Sequence, residues 1–159
     1  MAKMGKLDIS GLKELQKRMK KMQDPEEFME SCAKRIGAEL LKRVIDRTLP
    51  GEYDKPVDFT TKEGVHVHFE PHTGKKGGTL RRGWTIAQPA VRKEGNSYIV
   101  EIINPVEYAS YVEYGHRTAN GHGWVPGKFM MTISEQEVAR LAPEYLKKRV
   151  NKYLKDMFG

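Results

Sequence analysis

The sequence has little that would support thiol chemistry or passage through a membrane. Cys32 is the only cysteine, so neither an intramolecular disulfide nor a zinc site built from several cysteines can form. No apolar run approaches the roughly 20 residues that cross a bilayer, and the first six residues lead into charge instead of a signal-peptide core. We expect one domain over residues 1–159 with a flexible start at residues 1–8, made in the cytoplasm, without a membrane partner.

Motifs of the common catalytic and nucleotide-binding sites are also missing. The sequence contains no GxxxxGK[ST], no GxGxxG after a strand, no HExxH and no GxSxG. The stretch from Gly74 to Thr79 is basic and glycine-rich, but it lacks the Walker order and precedes a predicted strand instead of a helix. We therefore predict that the protein is not an enzyme and has no catalytic residue and no cofactor.

Two weaker arrangements keep an enzyme as an alternative. His66 and His68 alternate on a predicted strand and could bind a metal with His72, as in a metal-dependent hydrolase, but no carboxylate stands at a supporting spacing. Glu113 and His116 are close enough in sequence for an acid/base pair. Exposed polar side chains are the better interpretation of the histidines, an acid/base pair is improbable, and we predict no metal site.

Positive charge is what the sequence has in excess. The net charge is +7, and the run from Lys75 to Lys93 holds no acidic residue. A second cluster lies between Lys147 and Lys155. Solvated surface explains either cluster taken alone, but a small basic nucleic-acid-binding protein is the alternative function. The residues that would face DNA or an acidic partner are Lys75, Lys76, Arg81 and Arg82.

Apolar spacing predicts helices at both ends of the chain. Residues from Ile9 to Met22 form a short amphipathic pattern, and a second helix begins at Pro25 with Asp24 as its N-cap. Its apolar stripe buries Cys32 and comprises Phe28, Cys32, Ile36, Leu40 and Val44. This second helix ends at Leu49-Pro50-Gly51.

The C-terminal helix is predicted from a capping box. Ser134 is followed three residues later by Glu137, and apolar residues then recur at helical spacing. Pro143 lies inside this pattern and predicts a kink or a break.

Strands are predicted between the helices. Residues 52–78 form a long mobile loop that contains a short strand at Val65–Phe69. A hairpin turns at Glu94-Gly95-Asn96, and its second strand ends before Asn104-Pro105. The predicted fold class is α+β: two N-terminal helices, a small antiparallel β-sheet with a long flexible loop, and a C-terminal helix.

The segment from Tyr108 to Met131 combines aromatic, charged and glycine residues outside any predicted core element. We expect Arg117 to pair with Glu113, and the glycines of residues 120–123 to give slack. The residues predicted to anchor this loop are Tyr108, Tyr111, Gly115, Phe129 and Met130, with Trp124 also holding it to the body. Those predicted to contact a partner are Glu113, His116, Arg117, Trp124 and Lys128.

This segment, with Gly78-Thr79-Leu80-Arg81-Arg82-Gly83-Trp84 upstream, resembles the gene-product-ten-like phage tail-component family. Its ending, Gly-Trp-Val-x-Gly-x-Phe-Met, is more similar to the branch in contractile-tailed phages and defective prophages. The resemblance implies a structural protein of the virion neck or tail end, made in the bacterial cytoplasm and assembled as a homo-oligomeric ring. The implied partners are further copies, portal or connector proteins and tail-tube or tail-terminator proteins, with non-specific contact to genomic DNA.

Overall fold

A computed structural model describes residues 17, 20, 24–51, 57–60, 64–69 and 77–158. Along the chain, the antiparallel strand pairs lie between two long helices. These helices are far apart in the sequence but pack against each other. The helices are α1 (Pro25–Arg47), α2 (Thr79–Gly83), α3 (Ala109–Tyr114) and α4 (Met130–Phe158). The strands are β1 (Val57–Thr60), β2 (His66–Phe69), β3 (Thr85–Ile86), β4 (Arg92–Glu94), β5 (Ser97–Ile99), β6 (Ile102–Ile103), β7 (Gly115–Arg117) and β8 (Trp124–Pro126). The predicted α+β class is confirmed.

Helix α1 begins and buries its stripe as the sequence predicts. The Asp24 carboxylate accepts a hydrogen bond from the amide of Glu26 at 2.7 Å, and Pro25 occupies the first turn, where no amide donor is needed. Phe28, Cys32 and Val44 are buried along one side. The predicted helix at residues 9–22 and the predicted flexible start lie outside the described residues, apart from Lys17 and Lys20, which are helical.

Helix α4 differs from its prediction at both points where the sequence suggested a boundary. It starts at Met130, one turn before Ser134, whose buried hydroxyl donates to the carbonyl of Met130 at 2.6 Å. The predicted capping box is therefore wrong. The helix also continues through Pro143, which leaves the carbonyl of Ala139 without its usual amide donor. The predicted break at this proline is wrong.

Helices α1 and α4 pack antiparallel. Near the start of α1, the ring of Phe28 stacks on Tyr153 with centroids 4.4 Å apart. At the other end, Arg47 donates to Glu137 at 2.6 Å and to the hydroxyl of Ser134 at 3.3 Å. Arg43 donates to the second oxygen of Glu137 at 3.0 Å. Glu137 thus fixes the register of the pair instead of capping its own helix.

The core lies where α1 meets the first turns of α4. Val44, Trp84 and Met130 are buried there in mutual contact, with flanking aliphatic side chains from α1, α2, α3 and β6. The indole N–H of Trp84 donates to the hydroxyl of Thr48 at 2.8 Å, and this hydroxyl donates to the carbonyl of Val44 at 2.6 Å. A buried indole donor needs such a partner, because leaving it unpaired is costly.

The strands form four separate antiparallel pairs instead of one small sheet: β1 with β2, β3 with β6, β4 with β5, and β7 with β8. The hairpin predicted at residues 94–96 is confirmed as β4–β5. Its second strand is shorter than predicted, because Ile102 and Ile103 pair instead with β3.

Two further segments differ from their predictions. The long loop predicted at residues 52–78 contains the β1–β2 hairpin, in which β2 corresponds to the predicted short strand and β1 was not predicted. The glycine-rich stretch is followed by helix α2, where a strand was expected.

Candidate interface on the hairpin between α3 and α4

The β7–β8 hairpin, residues 115–126, is hereafter the hairpin segment. Helix α3 leads into it at Gly115, whose φ of 86° is a conformation that L side chains rarely adopt. A Cβ atom at Gly115 would collide with the carbonyl oxygen of Val125, and one at Gly127 would collide with the carbonyl oxygen of Glu113. These glycines therefore let the outgoing strand lie directly against the end of α3.

Glu113 joins the hairpin segment to the core. Its side chain is 5% exposed, and its carboxylate accepts hydrogen bonds from the amides of Met131 and Thr132 at 3.0 and 2.9 Å. The hydroxyl of Thr132 donates to the same carboxylate at 2.8 Å. A carboxylate here satisfies amides that the first turn of α4 cannot pair internally, and its charge suits the positive end of the helix dipole.

This role corrects two predictions about Glu113. The carboxylate makes no ion pair with Arg117 among the described residues, and its burial removes Glu113 from the side chains that could contact a partner.

The turn at the tip of the hairpin segment is held by hydrogen bonds within the segment. The prediction that its glycines give slack is therefore wrong. The amide of Gly123 donates to the Thr118 hydroxyl at 2.9 Å, and the amide of Thr118 donates to the carbonyl of Gly123 at 3.0 Å. Asn120 accepts from the Thr118 hydroxyl at 2.5 Å and from the amide of His122 at 3.2 Å. The glycines therefore shape a defined turn.

Large apolar side chains lie exposed on both sides of the hairpin segment. Directly opposed residues share a side, so Trp124 lies beside Arg117 while Val125 lies beside His116. The Tyr111 ring meets the His116 ring edge-on at 5.9 Å between centroids. Trp124 is 61% exposed. The exposed set comprises Tyr111, Tyr114, Trp124 and Val125.

The predicted anchors divide into two groups. Met130 and Gly115 are buried, as anchoring requires. Tyr108, Tyr111, Trp124 and Phe129 are exposed, so their burial does not support the prediction that these rings hold the loop to the body. The attachment comes from the carboxylate of Glu113 and from backbone bonds, including the amide of Lys128 to the carbonyl of Val112 at 2.8 Å. No sequence pattern signalled this, because Glu113 and Thr132 lie 19 residues apart.

The exposed charge of this region is positive. Between Tyr108 and Met131 the only acidic residue is Glu113, which is buried. Arg117 and Lys128 are exposed and make no ion pair within the part of the chain that the structure describes. A partner for this surface therefore needs apolar area with acidic groups beside it.

The basic run of the sequence is divided in the fold. Arg81 lies 3.7 Å from Asp46, and Arg82 donates to the carbonyl of Gly77 at 3.3 Å. Arg92 pairs with Glu94 and Glu101 at 2.7 and 3.3 Å, and Lys93 pairs with Glu26. Lys75 and Lys76 lie outside the described residues. In the described part of this run, Arg92 and Lys93 are therefore paired with carboxylates and Arg81 lies near one, whereas Arg82 contacts only a backbone carbonyl.

The two described histidines of the suggested metal site pair with a carboxylate that the sequence did not point to. Asp58 on β1 lies 2.9 Å from His66 and 3.2 Å from His68. The β1–β2 register brings it there across the hairpin. His72 lies outside the described residues, and within them no three potential ligands are arranged to hold a metal ion.

The fold and this surface define an α+β protein with a fixed, solvent-facing aromatic hairpin. The family described as "Bacteriophage HK97-gp10, putative tail-component" matches residues 13–115. Because this range covers well over half of the chain, the chain belongs to that family and is a structural phage protein of the tail. No curated protein and no solved structure matches it. Within the described residues, no helix is long and apolar enough to cross a membrane.

Proposed function

We propose that the protein is a non-enzymatic subunit of the virion neck or tail end. Copies form a ring between the head connector and the tail, or cap the tail, and bind portal or connector proteins on one side and tail-tube or terminator proteins on the other. The observation that carries this proposal is the exposed Trp124 on a hairpin segment that Glu113 fixes to the core.

An exposed aromatic surface of this kind favours protein binding over simple solvation. Tryptophan, tyrosine and arginine dominate the binding energy of interfaces, and Trp124 and Arg117 lie side by side on one side of the hairpin. The hairpin segment is held in place before any partner arrives, so little conformational entropy is lost on binding. Both features suit a subunit that must join preformed parts of a particle.

The test is Trp124→Ala in the phage or prophage that encodes the chain. We expect joined particles to fall roughly thirtyfold, as for loss of an interface hot spot, with free heads and free tails accumulating in electron micrographs. Phe158→Ala is the matched control, because Phe158 is equally exposed, at 68%, but lies at the far end of α4.

Two results would contradict the proposal. One is normal head-to-tail joining by the Trp124→Ala phage. The other is absence of the wild-type chain from purified particles, measured by mass spectrometry.

A further inference from the structure

A groove runs between α1 and α4 on the helix pair. Its volume is about 220 Å³, and Leu141 in its lining is 52% exposed. Apolar side chains dominate its floor, while Arg35 and Glu39 stand on its α1 side. The lining comprises Arg35, Ile36, Glu39, Val138, Leu141, Ala142 and Tyr145.

The size of this groove fits one large side chain better than a small molecule. Sites for small molecules and cofactors measure about 300–1,000 Å³, which is larger than this groove. A single aromatic side chain from a protein partner fills a smaller space and brings enough apolar area to cover Leu141.

The hairpin segment offers such a side chain in Trp124, but it cannot fill the groove of its own chain. It is fixed at the start of α4 by Glu113, whereas Leu141 lies eleven residues further along the helix. That spacing corresponds to roughly 16 Å along the axis. A second copy can supply what the same chain cannot.

We propose that Trp124 of one copy occupies the α1–α4 groove of the next copy, with Arg117 of the first beside Glu39 of the second. The inference rests on the proposed function, because it assigns the contact by which copies assemble. Its basis is complementarity: an indole and an unpaired guanidinium lie together on one surface, and an apolar groove and a carboxylate lie together on the other.

The polar groups of the groove suit this occupant. One oxygen of Glu39 accepts from Arg43 at 2.9 Å, and its other oxygen can accept from the incoming Arg117. Arg35 makes no ion pair among the described residues, so its guanidinium can lie over the face of the indole.

This contact is heterologous, because it joins two different surfaces. Every copy therefore uses its hairpin toward one neighbour and its groove toward the other, and such contacts close into a ring or continue as a filament.

The test pairs two single substitutions that leave Trp124 and Leu141 in place. Differently tagged full-length copies of Arg117→Cys and Glu39→Cys are mixed at high concentration and treated with a short bis-maleimide. The same cross-linking is then carried out on purified particles that contain both variants. Cys32 is buried, at 1% exposure, so it should react little with the bis-maleimide. The chain without either substitution measures the background of cross-linking through Cys32.

We expect a cross-linked dimer only when both variants are present. Adding Trp124→Ala to the Arg117→Cys copy, or Leu141→Glu to the Glu39→Cys copy, should reduce it roughly thirtyfold. Adding Phe158→Ala should leave its yield unchanged.

Two results would overturn the inference: linkage between two Arg117→Cys copies, which indicates a two-fold symmetric contact, or no linkage in particles that contain the protein. These outcomes differ from failure of the proposed function. In that case the chain is absent from particles, or the Trp124→Ala phage joins heads to tails normally, whatever the cross-linking result.

Discussion

The α1–α4 helix pair and the hairpin segment use the same kinds of side chain in opposite ways. Within the pair, Arg43 and Arg47 are both bound to Glu137. In the hairpin segment, Arg117 makes no ion pair within the described residues. Tryptophan shows the same contrast, since Trp84 is buried in the core whereas Trp124 is exposed. These arginines of the helix pair and the core tryptophan find their partners within the chain, whereas Arg117 and Trp124 of the hairpin segment face solvent.

This difference is not one between rigid and loose structure. The hairpin segment is exposed, yet its turn is closed by six hydrogen bonds that involve Thr118 or Asn120. Its base is tied to α4 by Glu113. Exposure of the hairpin segment is therefore not a consequence of a loose backbone, and it fits the proposal that a partner covers this surface.

A large loss of stability should come from Glu113→Ala, which removes the tie between the two regions. It leaves two amides and a hydroxyl of the first turn of α4 without their acceptor, at a cost of about 3 kcal/mol in the free energy of unfolding. Urea unfolding followed by circular dichroism measures this loss.

Glu113→Gln keeps one acceptor oxygen and should lose less stability than Glu113→Ala. Arg117→Ala, three residues beyond α3, should leave the unfolding free energy within about 0.5 kcal/mol of wild type. Equal losses for Glu113→Ala and Arg117→Ala would show that Glu113 does not join the regions.

A smaller effect is expected from Thr48→Val, which tests the buried pair in the core. The valine has nearly the shape of threonine but cannot accept from the indole of Trp84, so a buried donor is left unpaired at a cost of about 2 kcal/mol. Thr48→Ser retains the hydroxyl and should lose less. If valine and serine were equally tolerated, the 2.8 Å bond between Trp84 and Thr48 would not contribute to stability.

A third and weaker effect concerns the loss of folding stability in acid. Hydrogen bonds from Arg47 and then Arg43 hold the pKa of Glu137 below its ordinary value of 4.5. A depressed carboxyl pKa contributes stability above the unfolded-state pKa, and this contribution is lost as the pH falls through the lower folded-state value. Wild type and Glu137→Gln should therefore differ most near neutral pH and converge in acid below pH 4.5.

The control for Glu137 is Glu144→Gln, the same charge change in an exposed pair with Lys148 on the same helix. Since exposed pairs of this kind contribute little, the stability of this variant should track wild type from neutral pH into acid. An equal pH dependence for both variants would contradict a special role for Glu137.

Local signals in the sequence predicted the elements whose causes are local. The Asp24 cap, the stripe of α1 and the β4–β5 turn each depend on residues within one or two turns of chain, and each is confirmed. The start of α4 was predicted wrongly because the residues around Ser134 match a capping box, whereas the actual start depends on residues that are distant in the sequence. The Glu113 carboxylate and the burial of Met130 set the start instead.

The candidate site was located from the sequence more accurately than it was explained. Aromatic residues near Gly115 marked the region, but the sequence did not show that these rings are exposed. The side of the hairpin segment on which Trp124 lies depends on the β7–β8 register, and a register is fixed by contacts between strands. Asp58 between His66 and His68 was missed for the same reason.

The smallest effect on stability should come from Trp124→Ala, although its effect on assembly should be large. The side chain is 61% exposed, so its removal should change the unfolding free energy by less than about 0.5 kcal/mol. Trp84→Ala is the matched comparison, because the same substitution at a buried tryptophan should cost about 3–5 kcal/mol. Thermal and urea unfolding of both variants, with particle counts for Trp124→Ala, separate the two regions. If Trp124→Ala lost as much stability as Trp84→Ala, Trp124 would belong to the folded core, and its exposure could not be attributed to a missing partner.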